Sequence, residues 1–291
     1  MRDPAVPEEE KRQVPRSAVG ANAEAQPASH WNNVARTWSA GDHQNPILAA
    51  HKRRVYTDLV AGWTGGRVPA LALKTDLFAE AFNDEEFVSS LGWQQSLVGI
   101  DISTGVLDAA RRRASVGGLR GYVACDVRRL PFAAETFDAV ISDSTLDHLS
   151  SEAEIVTALG EAERVLKAGG MLIVTLDNPS NMTYPPRWLV RLWMRLGLAP
   201  YYIGVTLSRR RLLAALRALG MEIRGCTAIL HYPHPDGLVR AMERAARRAG
   251  RGRLDGPVAR LFARFERLEH SRLRYLSGRY LAVAAVKGVR P

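Results

Sequence analysis

A chain of 291 residues with 46% hydrophobic content carries enough apolar material for a large core, which excludes a wholly disordered protein. Its 40 basic against 30 acidic residues leave a net charge of +10, a balance that accompanies polyanion binding. A nucleic-acid partner is nevertheless disfavoured: only five of the cations are lysines, the Ala- and Gly-rich composition points to coding bias behind the arginines, and aromatic residues are not interleaved with them as base stacking requires.

Two cysteines, Cys125 and Cys226, are too few for a disulfide framework and lack neighbouring His or Cys, so no metal site is expected. Neither an apolar leader nor a membrane-spanning run is visible, and the expectation is a cytoplasmic protein of unassigned oligomeric state.

Residues 1–29 contain Pro4, Pro7, Pro15, Pro27 and the acidic run Glu8 to Glu10 without apolar periodicity, and are read as a disordered tail. A helical lead-in over 30–66 follows, with Ile47, Leu48, Val55, Leu59 and Val60 at near-helical spacing before the Gly65-Gly66 turn. Strands are predicted at Val68–Leu73, Ser96–Asp101, Gly121–Asp126, Thr136–Ser142 and Gly170–Leu176. Between them run a helix capped by Ser103 and a helix from Ser151 to Leu166 that Lys167 to Gly170 stop. A helix from Ser208 to Gly220 and strands at Met221–Leu230 and Tyr280–Val286 complete the series. Strands alternating with helices imply right-handed crossovers, a mainly parallel sheet, and ligands at the strand carboxyl ends.

Asp126 to Ser142 (DVRRLPFAAETFDAVIS), followed by EAERVLKAGGMLIVTLDNPS from Glu161 to Ser180, resembles the class I S-adenosylmethionine-dependent methyltransferases of the small-molecule type. The likeness runs from about Val68 to Lys287. It implies a Rossmann-like α/β fold over 67–291, a seven-stranded and mainly parallel sheet with helices on both faces, and S-adenosyl-L-methionine as cofactor. By the same resemblance Asp101, with Ile102 beside it, accepts the ribose hydroxyls, and Asp126 accepts the adenine amino hydrogens while the Val127 amide donates to the ring. Either acid alone reads equally well as a helix cap.

The first motif departs from the family pattern. Leu73-Lys-Thr-Asp-Leu-Phe-Ala-Glu-Ala81 stands where a Gly-x-Gly-x-Gly loop is usual, and this either reshapes the methionine end of the pocket or argues against cofactor binding. Thr75, Asp76 and Glu80 supply polar groups for the cofactor ammonium, while Asp76 and Glu80 also suit the first turn of a helix. After the fourth strand, Ser142 falls on the cofactor side, and Asp143 and His148 are candidate bases for a hydroxyl acceptor. A packing role for His148 is the plainer reading. Asp177-Asn-Pro-Ser180 follows the fifth strand, the wrong place for the motif of amino-methylating nucleic-acid enzymes.

The segment 182–207 is longer than a crossover needs and holds a basic amphipathic helix between Pro185-Pro186 and Gly197. Trp188, Leu189, Leu192, Trp193 and Leu196 form one face, and Arg187, Arg191 and Arg195 the other. Three readings follow: a lid on an apolar acceptor pocket, peripheral membrane contact through 185–197, or packing on the core. His231 to Asp236 follows the sixth strand and could face the acceptor; helices at Asp236–Arg248 and Val258–Leu276 read as sheet cover. The expected function is methyl transfer to a small hydrophobic or aromatic molecule, with oxygen favoured. The alternatives are an inactive methyltransferase-like binding scaffold and an RNA methyltransferase.

Overall fold

Side chains of a strand alternate between faces, so strands as continuously apolar as these must be covered on both sides. A computed structural model describes residues 28–38, 46–82, 86–114, 118–196, 203–231 and 255–288. Within it β1 (Ala72–Thr75), β2 (Leu97–Asp101), β3 (Gly121–Ala124), β4 (Phe137–Asp143), β5 (Leu166–Asp177), β6 (Met221–Ile229) and β7 (Tyr280–Lys287) form one seven-stranded sheet in the order β3-β2-β1-β4-β5-β7-β6. β7 runs antiparallel to both of its neighbours, and the other pairings are parallel. The order reverses between β1 and β4. That switch point opens a crevice at the carboxyl ends of the strands.

The alternation is visible residue by residue. Val140, Leu172, Val174, Val283 and Ala285 face a core completed by Ile155 and Leu159 of α6 (Glu152–Val165) and by Leu212 and Leu216 of α8 (Arg209–Ala218). Ala139, Ile141, Ile173 and Ala282 face the other way, onto Tyr56 and Val60 of α2 (Pro46–Thr64), Val88 of α4 (Val88–Leu91) and Phe262 of α9 (Asp255–Glu266). A third cluster joins Leu77 and Ala81 of the segment holding α3 (Phe78–Phe82) to Val106, Leu107 and Ala110 of α5 (Thr104–Arg113), with Ala35 of α1 (Ala28–Thr37) against it.

The capping residues stand where the sequence places them. Ser103 accepts from the Val106 amide and Ser208 from the Arg211 amide. Ser151 and Glu154 form a reciprocal capping box that satisfies two otherwise orphaned amides at the start of α6.

Several boundaries differ from expectation. The first strand is Ala72–Thr75 rather than Val68–Leu73: Pro69 lacks a donor, Val68 is exposed, and pairing with β2 and β4 begins at Ala72. Thr75 is therefore strand, not loop, and Glu80 is helical. β3 ends at Ala124, two residues before Asp126. Lys167 to Gly170 do not stop a helix. α6 already ends at Val165, Leu166 pairs with Phe137, and a turn at Gly169 with φ of 77° absorbs the register shift inside β5.

Helix starts at Ala28, inside the expected tail, and the rest of that tail lies outside the described residues. The helix expected over Val258–Leu276 is broken into α9, a 3₁₀ turn at Arg267–His270 and α10 (Arg274–Ser277). Ser271 causes the break, donating from its hydroxyl to the Leu268 carbonyl and accepting from the Leu273 amide. The helix at Asp236–Arg248 and the stop at Gly197 lie outside the described residues.

The 3₁₀ turn Leu146–His148 is clamped by backbone. Gly204 donates to the Asp147 carbonyl at 2.8 Å and Val205 to the Leu149 carbonyl at 2.9 Å. A Cβ on Gly204 would sit 2.2 Å from the Leu149 oxygen, a collision no rotamer relieves. Gly204→Ala should therefore lower stability by about 1–3 kcal/mol in urea unfolding and displace the Leu146–His148 turn.

Candidate active site

The crevice begins with a lysine. Lys74, third in a four-residue strand, is 1% exposed, and its Nζ donates to the Asp76 carbonyl at 2.5 Å and to Glu80 Oε2 at 3.1 Å. Burial disfavours its charge, but Glu80, then Asp76 and Asp143, outweigh that and hold it above the usual lysine range. Asp76 has φ of 139°, a conformation that belongs to glycine. Two bonds hold it there: Lys74 grips its carbonyl, and its own Oδ1 accepts from the Phe78 amide at 2.6 Å. The loop lacking the expected glycines thus adopts a glycine-like backbone by local bonding.

Asp101 ends β2 and joins two turns, its Oδ1 accepting from Ser103 N at 2.8 Å and its Oδ2 from Leu77 N at 3.2 Å. It is not the helix cap, a role that Ser103 fills. Burial, with the neighbouring Asp76 charge, pushes its carboxyl up to about 7. Burial likewise raises Glu80 to about 7 against the pull of Lys74, and raises Asp76. Ile102 is half-buried beside Asp101.

One strand further out, Asp126 is held by Arg128, whose Nε lies 3.0 Å from both carboxylate oxygens and whose backbone amide donates to Oδ1 at 2.8 Å. Arg128 also reaches Glu154 of α6. Burial would raise the Asp126 carboxyl, but these Arg128 bonds lower it below the usual range. Any ligand amino group at Asp126 shares it with this guanidinium. Val127 stands half-buried next to it.

At the end of β4, Asp143 Oδ1 accepts from the Thr175 hydroxyl at 3.1 Å, and Thr175 in turn accepts from the Ser144 amide at 3.0 Å. The Tyr56 hydroxyl lies 3.4 Å from the same Thr175 oxygen. Thr145 bridges to β1, with its Oγ1 2.9 Å from Thr75 Oγ1. The buried Asp147 accepts from Asp177 N at 2.9 Å, and burial and the Asp177 charge push its carboxyl well up. His148 follows and packs edge-on to Trp31 of α1, ring centroids 4.8 Å apart.

Helix α1 is the roof. Asn32 Oδ1 accepts from the Ser103 hydroxyl at 2.7 Å and from the Gly105 amide at 3.1 Å, which fixes α1 on the start of α5. Trp38 packs edge-on to Phe78 at 4.9 Å. His30 sits beside Trp31 with its Nε2 buried and unpaired, and burial, then the nearby His148, lower its pKa.

The structure therefore brings Thr75, Asp76, Glu80, Asp101, Ser142, Asp143 and His148 to one crevice. Asp126 and Val127 stand at its outer edge. His231 is elsewhere in role: it is buried, with Nδ1 2.8 Å from the Ser277 hydroxyl and Nε2 2.8 Å from the Ala228 carbonyl, and the rest of its motif lies outside the described residues. Sequence reasoning gave no role to Lys74, Arg128, His30 or Trp31. For Lys74 the signal was present, a lysine inside an apolar strand.

Residues 82–174 match the family described as "Methyltransferase domain". A demethylmenaquinone methyltransferase of Mycobacterium sp. (strain KMS) is 33% identical over 162 residues, covering 54% of this chain and 62% of that protein. The probable tRNA methyltransferase 9B of Homo sapiens is 37% identical over 81 residues, covering 28% of this chain and 17% of that protein. A solved methyltransferase of Thermotoga maritima, described as a possible histamine N-methyltransferase, superposes with a TM-score of 0.51 at 17% identity, over 89% of this chain and all of that one. Residues 82–174 thus match a methyltransferase domain, and the seven-stranded sheet that holds them has the fold of the class I S-adenosylmethionine-dependent methyltransferases. The chain spans 35% to 62% of the length of the curated relatives that it matches first.

S-Adenosylmethionine is the cofactor of this class, and the methyltransferase crevice can be tested against it. Glu80 Oε1, Ser142 Oγ and Ser144 Oγ are buried without hydrogen-bond partners, a costly state that a polar ligand relieves. Asp76, Glu80 and Asp101 add acceptor oxygens, the chemistry that hydroxyl and ammonium groups need. The donor and acceptor set fits.

Raised carboxyl pKa values have a consequence for the ligand-free chain. Between the unfolded value of 4.5 and the folded value of about 7, the native Glu80 binds more proton than the unfolded chain, so its contribution to stability falls as pH rises through that window. Glu80→Gln mimics the protonated form. Its stability relative to wild type should be near even at pH 5 and should increase towards pH 8, measured by urea unfolding at each pH.

Proposed function

We propose that the chain transfers a methyl group from S-adenosylmethionine to a small, largely apolar or aromatic acceptor through a hydroxyl oxygen. The observation that carries this reading is the roof: α1 lays Trp31 against His148 and sets His30 beside it with its Nε2 buried, over the turn that follows β4. A planar acceptor suits these aromatic walls. In this reading Asp101 and Ile102 take the ribose, Asp126 and Val127 the adenine, Thr75, Asp76 and Glu80 the methionine end, and Ser142 lines the pocket between them.

When bound, the cofactor supplies an electrophilic methyl group on a sulfonium. His148 removes the acceptor proton, and Trp31 holds its ring in place. Asp143, fixed by Thr175 and adjacent in charge to Lys74 and Tyr56, orients polar groups at the strand end and is the second candidate base. Methyl transfer is an in-line displacement, so alignment of acceptor and sulfonium contributes much of the rate. Methylation at a ring carbon is a second reading: a relative from Desulfotalea psychrophila is named a ubiquinone/menaquinone biosynthesis C-methyltransferase, and a hydroxyl deprotonated by the same histidine activates a neighbouring carbon.

Calorimetry with S-adenosylmethionine should show binding that weakens at least tenfold in Asp101→Ala; unchanged affinity would overturn the assignment. Because the cofactor is cationic at its ammonium and sulfonium, binding should release protons from Asp101 and Glu80, and affinity should rise from pH 5 to pH 8. With an acceptor in hand, identified by the mass gain of one methyl group in extracts, His148→Ala should cut kcat by about 10² to 10⁴. Trp31→Ala should act mainly on KM. Methylation of RNA alone, with affinity falling steeply with salt, would replace the small-molecule reading.

A further inference from the structure

From residue 178 to residue 221 the chain has no aspartate or glutamate and seven arginines. Within this stretch lies α7 (Arg187–Arg195), and its apolar residues are not all turned to the core. Val190 is buried, whereas Trp188, Leu192 and Leu196, spaced four apart, form one ridge that is 66%, 42% and 60% exposed. By helical geometry the exposed Arg191 and Arg195 flank this ridge instead of standing on the opposite face as expected from the sequence, and neither is paired with a carboxylate among the described residues. Met182, 82% exposed, donates its amide to the Leu276 carbonyl, and Leu276 and Leu273 are exposed as well. Seven of the ten large apolar side chains exposed among the described residues fall in 182–196 or 273–276. Tyr275 lies between Arg209 and Arg274, whose guanidinium carbons are 4.4 and 5.2 Å from its ring centre.

We propose that this face docks on an anionic lipid bilayer, with α7 lying in the interface plane. An apolar ridge carrying a tryptophan gains by entering the acyl boundary, and arginines beside it reach the lipid phosphates. A run of 44 residues without an acid presents nothing that repels such a surface. Nucleic acid offers charge but no apolar phase for the ridge. A two-fold contact with a second copy would oppose Arg191 and Arg195 to their own counterparts. No described helix is long and apolar enough to cross a membrane, so the contact is peripheral.

The placement connects this face to the crevice. The segment leaves the sheet at Asp177, whose amide bonds Asp147, and returns at Thr206, whose hydroxyl donates to the Asp177 carbonyl at 2.6 Å. Docking through α7 therefore sets the Leu146–His148 turn near the bilayer, and an apolar acceptor can arrive from the lipid. This last step rests on the proposed acceptor class; the docking itself does not.

Co-sedimentation of the full chain with phosphatidylcholine vesicles, with and without phosphatidylglycerol, tests it. Binding is expected only to the anionic vesicles, with loss at high salt and a blue shift of tryptophan emission. Arg191→Ala and Arg195→Ala should each weaken partitioning about fivefold, and Trp188→Ser with Leu192→Ser at least tenfold. All four substitutions should leave S-adenosylmethionine affinity unchanged, which shows the fold intact and separates failure of docking from failure of the cofactor assignment. Equal binding to neutral vesicles, no binding to either, retention by the variants, or self-association abolished by the serine pair without lipid binding would each overturn the proposal.

Discussion

Lys74 is a cation taken almost wholly out of water at the point where the parallel sheet reverses its order. An isolated charge there costs several kcal/mol, so the residues around it must answer it. The Asp76 carbonyl and the Glu80 carboxylate do so, and this fixes the exit of β1. Asp76 can hold a glycine-like φ because Lys74 grips its carbonyl while its own side chain grips the next turn. In the usual arrangement a glycine reaches this geometry through the absence of Cβ; here a buried ion pair enforces it.

The fixed exit propagates outward. Leu77, next after Asp76, donates to Asp101, which also accepts from Ser103. Ser103 caps α5 and donates to Asn32 of α1. Helix α1 then sets Trp31 on His148, which returns the chain of contacts to the strand beside β1. The roof, the acid at the end of β2 and the turn after β4 thus hang on one network. Its weak element is the loop 203–207, where only glycine permits the backbone approach that holds Leu146–His148.

The strands, the helix starts at Ser103, Ser151 and Ser208, and the acid at the end of β2 were legible because period, capping chemistry and burial agree there. The first strand was misplaced because Val68 and Leu71 look as apolar as the true strand, while Lys74 and Thr75, which read as loop, are buried by tertiary contacts. Gly169-Gly170 carries the usual sign of a helix stop, yet tertiary pairing of Leu166 with Phe137 ends the helix first. Arg128 reaching Glu154, and Asn32 holding α5, are contacts across 26 and 73 residues of sequence whose geometry no local pattern encodes. His30 and Trp31 open the expected helical lead-in, but no local pattern says that its first helix roofs the turn after β4.

Charge takes opposite signs inside and outside this fold. The chain as a whole carries +10, while the crevice gathers Asp76, Glu80, Asp101, Asp143 and Asp147 around a single lysine. Burial alone would protonate such a cluster, and the raised carboxyls of Glu80 and Asp101 show it close to doing so. A cationic ligand reverses the balance, because each carboxylate it pairs with becomes cheaper to ionise. The outer surface follows the contrary rule, with arginines beside exposed apolar side chains on a stretch without acids. Each surface can therefore meet a ligand of the sign opposite to its own, because ionic solution confines the field of an exposed charge to about 8–10 Å.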